Sequence, residues 1–196
     1  MSSEKLKTQI RESAQTVEEW RAYDNSLLEN LEALYREIDS ETGRLTLLHR
    51  ERLECRKGCS QCCCDGISVF GVEAANIRKN AAAVLKQEPN HRGGCAFLGT
   101  EGECRIYHHR PYVCRTQGLP LRWWEEREGN EVVERRDICP LNEPGPSLEG
   151  LVPEDMWLIG PFEGALASLE ATVSGPELQR VKLRSLFTVD EKAQEK

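Results

Sequence analysis

The stretch Cys55-Arg-Lys-Gly-Cys59-Ser-Gln-Cys62-Cys63-Cys64 places five of the chain's nine cysteines within ten residues. An ordinary packed core has no use for that density of thiols. The other four, Cys95, Cys104, Cys114 and Cys139, follow at spacings that turns and short strands can fold back onto the first five. Soft thiolates select zinc, copper(I) or iron–sulfur clusters, commonly with four thiolates at each centre. Residues 55 to 140 therefore read as a domain folded around metal, with Cys55, Cys59, Cys62, Cys63, Cys95, Cys104, Cys114 and Cys139 as the candidate ligands. Those eight suffice for two sets of four; equally, four bind and the rest are buried free thiols, and spacing alone does not divide them. The adjacent pair Cys62-Cys63 suits two centres or two faces of one, because neighbouring side chains of an extended segment point opposite ways.

Composition supports a metal-held centre. Residues 55 to 140 are poor in Leu, Ile, Val and Phe, so apolar burial alone is a weak offset to the entropy of ordering their loops. The net charge of −7 and a pI near 5.3 argue against a general nucleic-acid or anionic-membrane binder, which needs clustered Lys and Arg. Neither a secretory leader pattern nor an apolar run of about 18 residues is apparent, and the expected location is the cytoplasm. Thiols stay reduced there, so metal ligation is favoured over a disulfide framework.

The helical period predicts a mainly α protein whose irregular, metal-organised centre carries one or two short β-hairpins. Residues 1–54 are expected to form a helical hairpin. Leu6, Ile10, Ala14 and Val17 share a helical period, Leu27, Leu31, Leu34, Tyr35 and Ile38 form one apolar stripe, and Asp39 to Gly43 is the break. Inside the centre, Ile67–Phe70 reads as a short strand and Val72–Gln87 as a helix. Cys95–Tyr107 and Leu121–Glu134 read as hairpins. Arg110-Pro111 opens a helical turn that carries Cys114. Trp123 and Trp124 read as packing residues. Residues 141–196 are expected to be a linker and two helices, 154–172 and 176–187, with a charged end at 190–196. The outer helices are scaffolding or a docking surface for a protein partner.

Arginines flank the cysteines, and four thiolates leave a metal site with negative charge. Arg110 and Arg115 are the best placed to support the cofactor from behind its ligands, through hydrogen bonds and Coulomb attraction. The bland alternative is a solvated surface. His108 and His109 are possible zinc ligands, but with so many thiols at hand they read as solvated or hydrogen-bonded. Cys55, Cys59 and Cys62 also spell CxxxCxxC, the spacing by which radical enzymes hold a four-iron cluster. The rest of the chain lacks their repeated strand and helix units.

The combination of Cys55-x3-Cys59-x2-Cys62-Cys63, Glu73 opening the next helix, Cys95-Ala-Phe-Leu, and Cys104-Arg-Ile-Tyr-His-His-Arg-Pro-Tyr-Val-Cys114-Arg resembles the YkgJ-type cysteine-cluster family, a zinc- or iron-chelating CxxCxxCC domain. One extra residue between the first two cysteines and the additional Cys64 depart from its pattern. The resemblance covers about residues 55 to 115, extending to Cys139, and implies a metal-chelating domain, sometimes labelled an iron–sulfur oxidoreductase; similar patterns occur in flagellin lysine methylases. The leading expectation is an iron–sulfur protein with a four-iron (4Fe–4S) cluster, acting in electron transfer or as the redox part of a modifying enzyme. The alternatives are a structural zinc protein with a partner-docking helical surface, and a radical or methyl-transferring enzyme.

Overall fold

A computed structural model describes residues 8–11, 17–56, 58–91, 93–142, 145 and 147–187. In the described residues the architecture is mixed rather than mainly helical, with two three-stranded sheets set among the helices.

The longest element is helix α2, Asn25–Leu48. Asp24 caps it by accepting the Leu27 N–H at 2.8 Å, and a helix needs such acceptors because its first amides have no internal partner. Its buried face runs Leu28, Leu31, Tyr35, Ile38, Thr42 and Leu45, one stripe at alternating steps of three and four. The stripe continues past Gly43, which stands exposed inside the helix, so the expected hairpin break at residues 39–43 is absent. Of the earlier helical stripe, Leu6 and Ala14 lie outside the described residues; Ile10 falls in strand β1, Thr8–Arg11, and Val17 begins helix α1, Val17–Arg21.

Strand β1 pairs in parallel with β6, Leu178–Lys182, whose other edge pairs antiparallel with β2, Ser68–Phe70. The C-terminal segment expected to be a second helix is therefore a central strand followed by a 3-10 turn, Leu183–Phe187. The strand wins because both its edges find hydrogen-bonding partners, a long-range gain that local propensity does not register. Likewise, Pro153–Asp155 is a 3-10 turn and Trp157–Leu158 is strand β5. Helix α6, Pro161–Ser174, begins only at Pro161, a residue suited to a first helical position. The charged end from residue 190 lies outside the described residues.

Strand β2 runs directly into α3, Gly71–Asn80, and α4, Ala82–Leu85, follows after a break at Ala81. The hairpin expected across Leu121–Glu134 is present as β3, Leu121–Glu126, against β4, Val132–Asp137, with β5 on the other edge of β3. Trp124, read as a packing residue, is 58% exposed, whereas Trp157 is buried in the core at 1% exposure. The hairpin expected across Cys95–Tyr107 shrinks to a tight turn closed by a single bridge between Leu98 and Cys104.

Two apolar clusters hold these pieces. One joins α2 to Phe70, Val72, Tyr112, Trp157, Leu166 and Leu178. The other surrounds the cysteine-bearing loops with Val69, Ile77, Phe97, Ile106, Val181, Leu183, Leu186 and Phe187. Phe97 and Phe187 meet at 4.8 Å between ring centroids, so the centre takes the apolar surface it lacks from the C-terminal strand and turn.

Candidate metal centre

The first cysteines leave the end of α2 through a turn. Gly58, at φ +92, reverses the chain, and the Cys59 N–H donates to Arg56 O at 2.9 Å. A second turn follows, with the Cys63 N–H donating to Ser60 O at 2.9 Å. Across from this loop, the segment after α5, Tyr112–Arg115, brings Gly118 against Cys55. A Cβ on Gly118 would stand 2.1 Å from Cys55 Sγ, and the residue sits at φ +89, so only glycine fits. Cys139 arrives from the end of β4 and is held by Asn142. The Asn142 N–H donates to Cys139 O at 3.0 Å, its Nδ2 to Gly118 O at 2.7 Å, and its Oδ1 accepts the Glu54 N–H at 2.9 Å. One amide side chain thus clips together the three segments that carry Cys55, Gly118 and Cys139.

The electrostatics of the thiols divide them. Burial pushes the Cys55 thiol up to about 11, and the charges of Cys59, Cys139 and Cys62 push it further in the same direction. Cys62 is raised chiefly by burial, with Cys59 and Cys139 again among the contributors. Cys63 faces other neighbours: burial raises it to about 12, with Cys62, Cys95 and Cys104 adding to the effect. Burial holds Cys114 well above the ordinary thiol range, and Cys95, Cys104 and Cys63 act on it in turn. Cys95, also raised by burial, feels Cys104 and Cys64. Eight of the nine thiols therefore sort into an outer group, Cys55, Cys59, Cys62 and Cys139, and an inner group, Cys63, Cys95, Cys104 and Cys114. The seam between them is the Cys62-Cys63 pair, and Cys64 stands exposed beside the inner group.

Rigid contacts fix the inner group. The Cys95 N–H donates to Cys63 O at 2.8 Å, joining the first loop to the third. Arg184, which the sequence did not single out, fastens the loop before Cys95. Its guanidinium pairs with Asp65 and donates to Asn90 O at 2.7 Å and Gly94 O at 2.9 Å. Helix α5, which carries Cys114, is held by Glu73. That buried carboxylate accepts the Tyr112 N–H at 2.8 Å, the Phe70 N–H at 3.1 Å and the Tyr35 hydroxyl at 3.0 Å. Burial raises its pKa while those donors pull it down.

Of the two arginines expected behind the ligands, Arg110 reaches the thiols electrostatically. Cys104 is raised first by burial and lowered by the Ile106 N–H, by Arg110 and by Arg105. Arg115 is mainly a clasp onto α2. It is 7% exposed, donates to both Asp39 oxygens at 2.7 and 2.6 Å, and lies 4.0 Å over the Tyr35 ring. His108 and His109 lie on the 3-10 turn Tyr107–His109, and His49 Nε2 lies 2.7 Å from Asp155 O.

As a donor set, eight thiols without histidine or carboxylate suit soft metals. Burial raises Cys55, Cys62, Cys63, Cys95, Cys104 and Cys114 above the ordinary thiol range, and gathering four thiolates in one place calls for a cationic centre to displace the protons. Among the described residues, no three Cys, His, Asp or Glu side chains already converge on a point that holds a single ion.

Comparison with known proteins agrees with this reading. Residues 54–140 match the family model CxxCxxCC, described as "Putative zinc- or iron-chelating domain". This segment is similar to a CxxCxxCC domain. The match begins one residue before Cys55 and ends one residue after Cys139, so it takes in both thiol groups and the Asn142 clip lies just beyond it. No curated protein and no solved structure matches the chain. No described helix is long and apolar enough to cross a membrane.

Proposed function

We propose that the CxxCxxCC domain binds two thiolate-held metal centres and that both are iron–sulfur clusters. Cys55, Cys59, Cys62 and Cys139 are the ligands of the outer one, and Cys63, Cys95, Cys104 and Cys114 those of the inner one. What supports this reading is that eight thiols influence one another in two sets of four, which meet at the Cys62-Cys63 pair, on loops held by Asn142 and by Glu73. A cluster offers its ligands several separate irons rather than one point, so it asks less convergence of the sulfurs than a single zinc ion does. Bound there, the clusters supply one-electron transfer. The residues of the chain set the conditions for it: Arg110 and Arg105 bring positive charge to Cys104, Arg184 does the same for Cys95, and the backbone between Cys62 and Cys63 joins the centres by the shortest covalent route available. The role we assign is electron transfer, alone or as the redox part of a modifying enzyme, with the exposed Cys55 and Cys62 of the outer group facing the partner.

Purification without oxygen followed by iron, zinc and acid-labile sulfide analysis tests this. The expected product is brown, absorbs broadly near roughly 400 nm, and holds iron and sulfide in equal amounts. Colourless protein with stoichiometric zinc and no sulfide would replace electron transfer with a structural role, since zinc has no redox chemistry.

A further inference from the structure

Beside the inner thiol group, between the C-terminal half of α2 and the turn leading into α5, lies a cavity of about 480 Å³. Its walls include Arg50, Arg110, Arg115 and His108, and the sole acid among its described lining residues is Asp39. Asp39 is already engaged by both of its oxygens with Arg115. Arg50 and Arg110 are left with no ion-pair partner among the described residues. That is an unexpected surplus in a chain with a net charge of −7.

Arg110 is also fixed in place. Its guanidinium lies 4.0 Å over the Tyr107 ring, and its Nε is buried without an acceptor. A buried donor with no acceptor is costly, and an acceptor brought by a ligand would relieve it. At the same rim, Leu47 is 67% exposed and Tyr107 57% exposed, so apolar surface borders the positive charge. The cavity volume falls within the usual range for small-molecule sites.

We propose that this cavity binds a small organic anion, a carboxylate or a phosphate ester with an apolar body, whose charged head lies between Arg50 and Arg110 while its body rests on Leu47 and Tyr107. The proposal does not depend on which metal the thiols hold, and it goes beyond electron transfer by giving the domain a small-molecule ligand next to its inner centre. Arg110 belongs to both places, since its charge also reaches Cys104.

The test is calorimetric titration of the full chain, purified with its metal, in low-salt buffer. One arm uses inorganic phosphate and the other 3-phenylpropionate. Saturable binding of either probe supports the site, and the tighter of the two identifies the preferred head group. Arg50→Gln and Arg110→Gln are each expected to weaken binding by about tenfold, the scale of one charge-assisted hydrogen bond. Arg135→Gln, on the distant hairpin, leaves it unchanged. Because Arg50 is exposed, Arg50→Gln remains decisive if Arg110→Gln disturbs folding. No saturable heat with either probe up to about 20 mM, or equal binding by wild type and Arg50→Gln, would overturn the proposal.

Discussion

The two thiol groups are neighbours in sequence and opposites in construction. The inner one is built into an apolar cluster. Cys95 is buried, Cys63 and Cys104 pack against the apolar cluster to which it belongs, and Cys114 rides on a short helix whose first amide is bonded to a buried carboxylate. The outer one is assembled from loop ends. Cys55 and Cys62 are exposed, and what brings Cys55 and Cys139 together is a glycine without a side chain and one asparagine. The difference shows how one run of cysteines can serve two ends: the inner set is part of the core and shares its stability, whereas the outer set is a polar clasp open to solvent.

The largest expected effect breaks the inner set. Cys114→Ser removes one of the four ligands proposed for the inner centre, and because metal affinity in such sites is folding free energy, the loss should exceed about 3 kcal/mol. Thermal melting of the metal-loaded protein should fall by on the order of 10 °C. Cys139→Ser should lower the melt far less while removing one centre. Equal effects from the two substitutions would erase the distinction between core and clasp.

Glu73→Ala sharpens the same comparison without touching a thiol. It strands the Tyr112 and Phe70 amides and the Tyr35 hydroxyl, at a cost of about 3 kcal/mol. Metal analysis should show the inner centre depleted and the outer one retained. Gly118→Ala is the outer counterpart. Its Cβ meets Cys55 Sγ and its φ is positive, so about 2 kcal/mol of strain should fall on the outer centre alone. Asn142→Ala, which loses two side-chain hydrogen bonds, should cost about 1–2 kcal/mol and speed the loss of the outer metal to chelator.

Proton linkage gives the smallest effect. Thiols whose pKa is raised by folding favour the metal-free fold while they stay protonated. That contribution is complete below the unfolded thiol value, near pH 8.5, and is lost as pH climbs through about 11 for Cys55 and about 12 for Cys63. Metal-free protein should therefore lose stability above about pH 9 relative to loaded protein in parallel denaturant titrations, since loaded thiolates have no proton left to release.

Much of the site was legible in the sequence and its partition was not. The cysteine spacing marked the segment that matches the family model, the strand before Glu73 and the hairpin after Leu121 are present, and Cys114 lies on a helical turn where Pro111 suggested one. These are local signals. The assignment of Cys139 to Cys55 depends on Asn142 reaching Glu54 across 88 positions, a contact that no spacing rule encodes. The C-terminal strand was hidden for the same reason, because Leu178 to Lys182 is a strand only through its two neighbours, β1 and β2. Gly43 misled in the opposite direction: a residue that often ends helices is carried through one whose buried stripe, Ile38, Thr42 and Leu45, does not pause.

Native mass spectrometry of the anaerobically purified protein, wild type beside Cys139→Ser, measures the separation of the two centres most directly. Two inorganic units of equal mass in the wild type and one in the variant, with the variant still folded, is the predicted result. A single unit in the wild type, or the loss of all metal when Cys139 alone is changed, would contradict it.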